Sequence, residues 1–160
     1  MTALRVSTEK AELDLPLIHR FLSERSTWAK GVSVPVVTKA IENSLCFGGF
    51  LGPSQVAFAR VISDYATFAN LVDVFVLPEH RGKGYSKTIM AAVVAHPELQ
   101  GLRRFTLATA DAHGLYSQFG FTALNKPQTF MERYFPHVYA TEPQQAVPAD
   151  GPRAARASRR

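Results

Sequence analysis

Residues 70 to 109 contain, in order, NLVDVFVL, PEHR, GKGYSKTIMAAVVA and, after a Pro-containing break, RRFTLAT. An apolar β-rich run, a glycine loop, an amphipathic run and a second β-rich run spell a β-α-β crossover. Its two strands must be parallel, since the connection is far too long for a hairpin, and the hand of such a crossover is nearly fixed. Ligands in such sheets gather beyond the carboxyl ends of the parallel strands, where the crossover helix points its N-terminus. The stretch RGKGYS, residues 81–86, falls at that place.

The rest of the chain is read around this unit. DLPLIHRFLSER puts Leu17, Ile18, Phe21 and Leu22 on one helical face, with Asp14 as N-cap and Pro16 in the first turn. SVPVVTKAIENS reads as a second helix with Val37, Ala40 and Ile41 as its stripe. SLCFGGFL and QVAFARVISD are strands joined by GPS, YATFA turns into the crossover's first strand, and ALRVS is an additional strand candidate. In the crossover helix, Tyr85, Ile89, Met90, Val93 and Val94 share a face, and Pro97 ends it. ADAHGLYSQF is a short helix, and GFTALNKPQTFMERY is expected to form a final strand pair around NKPQ. No internal repeat interrupts this order.

A chain of 160 residues, 46% hydrophobic and 19% charged, has the size and composition of one globular domain. Residues 1–138 are expected to form that domain and 139–160 a flexible Pro-, Ala- and Arg-rich tail. The net charge of +5 falls to +3 without the last twenty residues, which carry four Arg against Glu142 and Asp150. A small anionic ligand accounts for so mild an excess, and nucleic acid is not required. The single cysteine, Cys46, lies among apolar residues, so no internal disulfide can form and a buried thiol in a reducing compartment is expected. No apolar segment has the length of a signal peptide or membrane span, and the reading is a cytoplasmic protein without a membrane partner.

Gly82 and Gly84 allow a tight turn and let a ligand approach main-chain N–H groups without a Cβ in the way. The first N–H groups of the following helix lack internal partners, and the helix dipole is positive there. With Arg81, Lys83 and Lys87 beside them, they suit a phosphate or pyrophosphate. The pattern is neither a Walker loop nor GxGxxG.

Arg81, Gly82, Lys83, Gly84, Tyr85 and Ser86 match the signature [Q/R]-x-x-G-x-[G/A], and GLYSQFGF at residues 114–121 matches a second element at the expected distance. The chain thereby resembles the GNAT superfamily, the acetyl-CoA-dependent N-acetyltransferases, over roughly residues 4–135. The resemblance implies a GNAT-like α/β fold. Its sheet is mixed and mostly antiparallel, with one central parallel β-α-β crossover and helices on both faces. It implies acetyl-CoA as cosubstrate, with no metal, contacted by residues 81–86 and by Val74, Phe75 and Val76 on the preceding strand, where an N–H would face the developing oxyanion. Ser86 replaces the usual small residue, and Thr109 stands where many members have Asn.

Acetyl transfer to an amine poses two proton problems. A lysine-like amine is only about 0.04% neutral at pH 7, a handicap of about 4.6 kcal/mol, and the departing thiolate benefits from a proton donor. By resemblance Tyr116 is the donor. Asp73, which interrupts the apolar LVDVFV, is the candidate base, since an uncompensated buried carboxylate would have a raised pKa. A structural salt bridge is the other reading of Asp73. His113, three residues before Tyr116, is a rival base, and Glu79 lies in the connector. Acceptor selection is expected from the first two helices and their connection, with Trp28 as a substrate-binding residue near Lys30, and from the late loop NKPQTF. The acceptor is read as a small-molecule or peptide amine. A non-catalytic acyl-CoA sensor on the same fold, a nucleic-acid module using the basic tail, and a homodimer through a sheet edge or the late strands stay open.

Overall fold

The computed structural model describes residues 2–140; the expected tail beyond residue 140 lies outside the described residues. Five strands form one sheet in the order β1-β2-β3-β4-β5. They are β1 (Arg5–Ser7), β2 (Leu45–Leu51), β3 (Ser54–Ser63), β4 (Phe68–Val76) and β5 (Arg104–Leu107). Neighbours are antiparallel except β4 and β5, which run parallel. The crossover helix between them is α3 (Tyr85–Ala95).

Two apolar clusters occupy the two faces of this sheet. On one, Tyr85, Ile89, Met90 and Val93 of α3 meet Phe47, Val61 and Leu71. Full burial of each such side chain stabilises the fold by about 1.5–3 kcal/mol. On the other, Ile18 of α1 (Leu15–Arg20) and Val37 and Ile41 of α2 (Val34–Glu42) pack on Phe58 and Phe75. Asp14 caps α1 by accepting the Leu17 N–H at 3.0 Å, as the sequence predicts. The predicted single helix over 14–25 instead widens into a π turn at Phe21–Arg25, which lays Phe21 flat on Phe75 with ring centroids 3.9 Å apart. Cys46 is fully buried, and desolvation pushes its thiol up to about 11.

The expected final strand pair over 120–134 does not form. After α4 (His113–Ser117) the described chain contains only a short 3-10 turn, Pro127–Thr129. In consequence β5 is the edge of the sheet, and the parallel pair lies at that edge rather than at the centre. The segment touches β5 through side chains: Phe130 lies under the Arg104 guanidinium, 4.9 Å from its ring centroid.

β4 departs from regularity once. Phe75 faces Phe58 and Val72 faces Arg60, so two residues of β4, Asp73 and Val74, lie opposite Ala59 alone. Asp73 takes up the extra residue with φ 54°, in the left-handed region that Asp tolerates better than most side chains.

Candidate active site

The parallel pair opens towards its carboxyl end. β4 and β5 pair from Phe68/Arg104 only as far as Leu71/Leu107, while β4 runs on to Val76. Residues 72–76 therefore have a strand partner on the β3 side alone, and the two parallel strands part company there. Val74, Phe75 and Val76, where the family resemblance points for the oxyanion contact, lie in this stretch unpaired on the β5 side.

The glycine loop closes the same end of the sheet. Gly82 and Gly84 have φ 75° and 81°, and a Cβ built on either would meet nothing within 4 Å. The glycines are required by backbone conformation, and the space beside them is open. Gly84 is the N-cap of α3 and supplies no side-chain cap. The first intrahelical bond from this cap is Thr88 N–H to the Gly84 carbonyl, which leaves the N–H groups at the start of the helix for a ligand. Lys83 and Lys87 are exposed, and Ser86 is half-buried. Arg81 is partly committed, since its Nε donates to the Val76 carbonyl at 3.0 Å and so ties the loop to the end of β4. Tyr85 is buried in the α3 core and its hydroxyl donates to the Thr2 carbonyl, so it can offer a ligand its main chain only. Open glycines, an uncapped helix of eleven residues and exposed cations fit the pyrophosphate of a coenzyme A thioester.

Tyr116 lies on α4, reached directly from the end of β5, in the same buried cluster as Val76 and Tyr85. It is only 8% exposed, and its hydroxyl makes no hydrogen bond among the described residues. Burial first, then the nearby Asp111 charge, raise its pKa, so it is a neutral donor throughout the physiological range. His113 is exposed at the start of α4, and Glu79 is exposed in the connector. The Thr109 hydroxyl accepts the Ala112 N–H at 3.0 Å and steadies the turn into α4.

Asp73 is not the uncompensated carboxylate on which the sequence argument for a base rests. Arg60 Nε donates to its Oδ2 at 2.9 Å, and Trp28 Nε1 donates to its Oδ1 at 2.8 Å. Arg60 also donates from Nη1 to Ser44 Oγ at 3.0 Å. Both partners of the ion pair are largely buried, with 15% and 11% of their side chains exposed. Sequence reasoning passed over Arg60, although a signal existed: a lone cation interrupts the apolar β3 as a lone anion interrupts the neighbouring β4.

Trp28, Asp73 and Arg60 surround a cavity of about 240 Å³ between the first two helices and the sheet. Its other walls are mainly apolar, including Ile18, Val37, Ala40 and Phe58. The late loop NKPQTF is not among them; the C-terminal wall is Tyr139, whose carbonyl lies 2.8 Å from where a Cβ on Gly31 would stand. Lys30 is exposed and is not part of the lining. Asp73 and Tyr116 thus belong to opposite faces of the sheet. Among the described residues no group of three or more His, Cys, Asp or Glu could hold a metal ion, and no helix is long and apolar enough to cross a membrane.

Comparison with known proteins agrees with this architecture. The family model for the acetyltransferase (GNAT) domain matches residues 43–123. A Gibberella zeae protein named as a candidate acetyltransferase is 32% identical over 135 residues, 71% of this chain and 75% of its own length. A crystal structure from Xanthomonas campestris pv. campestris, described as a candidate acetyltransferase of the GNAT family, is 63% identical. It superposes with a TM-score of 0.86, over 88% of this chain and 99% of its own. A GNAT-family acetyltransferase from Streptococcus pneumoniae TIGR4 shares the fold at 17% identity and a TM-score of 0.64, over 84% of this chain and 98% of its own. With its sheet, its glycine loop and its sequence all matching, the chain belongs to the GNAT acetyltransferase family.

Proposed function

We propose that this protein is an N-acetyltransferase that moves an acetyl group from acetyl-CoA to a primary amine by direct attack on the thioester. The observation that carries the reading is the end of parallel pairing at Leu71 and Leu107, at the same end of the sheet as the glycine loop and Tyr116. Acetyl-CoA supplies the activated acetyl group; the chain supplies position, charge and a proton.

Main-chain N–H groups from Gly82 to the first turn of α3, with Lys83 and Lys87, bind the pyrophosphate. The exposed edge at Val74, Phe75 and Val76 offers an N–H to the oxygen on which negative charge develops, an interaction strongest in the transition state. An N–C bond forms as the C–S bond breaks. The amine proton leaves towards Asp73, whose two oxygens each hold one donor and keep a lone pair free. The departing thiolate takes its proton from Tyr116. His113, exposed and outside the cavity, has no part in this scheme.

The test is thermal unfolding with and without acetyl-CoA, beside Gly84→Asp, which combines a strained φ with a negative charge facing the phosphates. At about 100 times its dissociation constant the ligand adds about 2.7 kcal/mol, a rise of about 5–10 °C in midpoint. The folded variant is expected to show none. A parent midpoint that stays put at saturating acetyl-CoA would remove the basis for the reading. Binding without CoA release for any amine would turn it into an acyl-CoA sensor.

A further inference from the structure

The cavity beside Asp73 says what kind of amine the site accepts. It is small: about 240 Å³, below the 300–1,000 Å³ typical of drug-sized ligands. It opens to solvent between Trp28 and Val36, which are 54% and 42% exposed, and its inner walls are aliphatic or aromatic. A polyamine or an aminosugar would leave most of its polar groups unpaired against such walls.

The polar end of the cavity is more specific. The Arg60 guanidinium uses Nε on Asp73 and Nη1 on Ser44, and its Nη2 donates to nothing among the described residues. Nor is Nη2 sealed off as a buried orphan; the only atom of that kind among the described residues is His80 Nδ1. A fixed guanidinium lining a cavity with an unused face is a carboxylate receptor. Asp73, at 2.9 Å from Arg60, is the matching receptor for an ammonium or amine. Because the two receptors touch, the charges they bind must also be neighbours in the ligand. Asp73 further sits one residue before the strand edge that would face the thioester.

We propose that the acceptor is a free α-amino acid with a compact apolar side chain. The carboxylate lies on Arg60, the α-amine beside Asp73 and the side chain in the cavity. The inference rests on the transferase reading for its chemistry, but not for its binding geometry. The acetylated product keeps its carboxylate and loses its positive charge, so the pair that held the zwitterion holds the product less well, which favours release.

Trp28 is the only tryptophan of the chain and forms the cavity mouth, so its emission reports occupancy directly. Leucine, methionine and phenylalanine would be titrated into the CoA-loaded protein and into the free protein, followed by Trp28 fluorescence. Controls are isoamylamine (leucine without its carboxylate), 6-aminohexanoate, in which amine and carboxylate are far apart, spermidine, and a peptide beginning with leucine. At least one apolar amino acid should bind roughly tenfold or more tighter than isoamylamine, as expected for the loss of a charged hydrogen bond. Ala40→Leu, which fills the cavity from α2, should weaken that amino acid by about tenfold while leaving the acetyl-CoA dissociation constant unchanged.

Equal binding of isoamylamine and leucine, tighter binding of spermidine or of the peptide, or indifference to Ala40→Leu would overturn the proposal. So would a Trp28 signal that no amino acid moves in either form of the protein. A Trp28 response in a protein that fails to bind acetyl-CoA would sink the transferase reading and leave the amino-acid site standing. Acetyl-CoA binding with no response would do the reverse.

Discussion

At the scale of single residues, Tyr116 keeps its ring in the core and its hydroxyl uncommitted. It is packed in the α3 core, and its hydroxyl has no partner among the described residues without being sealed from solvent. A hydroxyl that still reaches solvent carries no penalty of an orphaned buried group, so phenylalanine in its place should cost the fold little. Tyr116→Phe should therefore leave the fold and the acetyl-CoA affinity intact while lowering kcat by about 10²-fold or more, measured as CoA release. The sign of its pKa shift sets the pH behaviour. The shift is upward from 10.0, so the protonated donor persists to higher pH than a free tyrosine, and any stability linked to it is lost only as pH rises above that range. Between pH 7 and 9, parent and variant rates should accordingly stay in constant ratio. The sequence made Tyr116 legible through its motif but could not show the bare hydroxyl, since hydrogen-bond partners are settled by tertiary contacts.

At the scale of elements, the crossover unit and the first three strands were readable because apolar periodicity and turn residues agreed there. The two failures have physical causes. A helix was predicted straight through residue 25, but stacking Phe21 on Phe75 favours a wider turn. The late strand pair was expected around NKPQ, yet a strand needs a ladder partner. The segment engages β5 by side chains instead, as Phe130 does with Arg104. The bulge in β4 was also invisible, because LVDVFV offers no glycine to mark a positive φ. Its ion pair gives it a distinct test. Asp73→Asn keeps a residue tolerant of the left-handed region but leaves Arg60 buried without a counter-charge, which should cost about 3 kcal/mol in a urea titration. The same variant separates two roles at the site. A raised KM with kcat retained would make Asp73 an anchor for the amine. A fall in kcat that is relieved at high pH, where more amine is already neutral, would make it the proton acceptor.

At the scale of the whole molecule, one sheet carries two cores, and neither can form without the strands they share. The domain should then unfold as a unit. Ile89→Ala, fully buried on the α3 side, is expected to cost about 2–5 kcal/mol. Trp28 reports from the opposite face, so its fluorescence midpoint should move together with the far-UV circular dichroism midpoint. Separate midpoints would mean that the faces melt independently and that the cavity beside Asp73 belongs to a looser half.

Alternation along β4 has a consequence for how the proposed amino-acid site relates to this frame. Ala69 and Leu71 belong to the α3 core, Val72 and Asp73 both line the cavity, and Val74, Phe75 and Val76 then resume strict alternation between the faces. Struck out of the chain, Asp73 would leave a run in which every remaining side chain keeps its face, with Val74 falling opposite Ala59. As far as packing is concerned the residue is surplus: a spacer that the sheet accommodates and the two cores never use. A chain lacking residue 73 and carrying Arg60→Met, so that no cation is stranded, should fold with both cores intact and bind no amino acid, as read by Trp28. The fold and the proposed recognition chemistry would thus come apart at a single position.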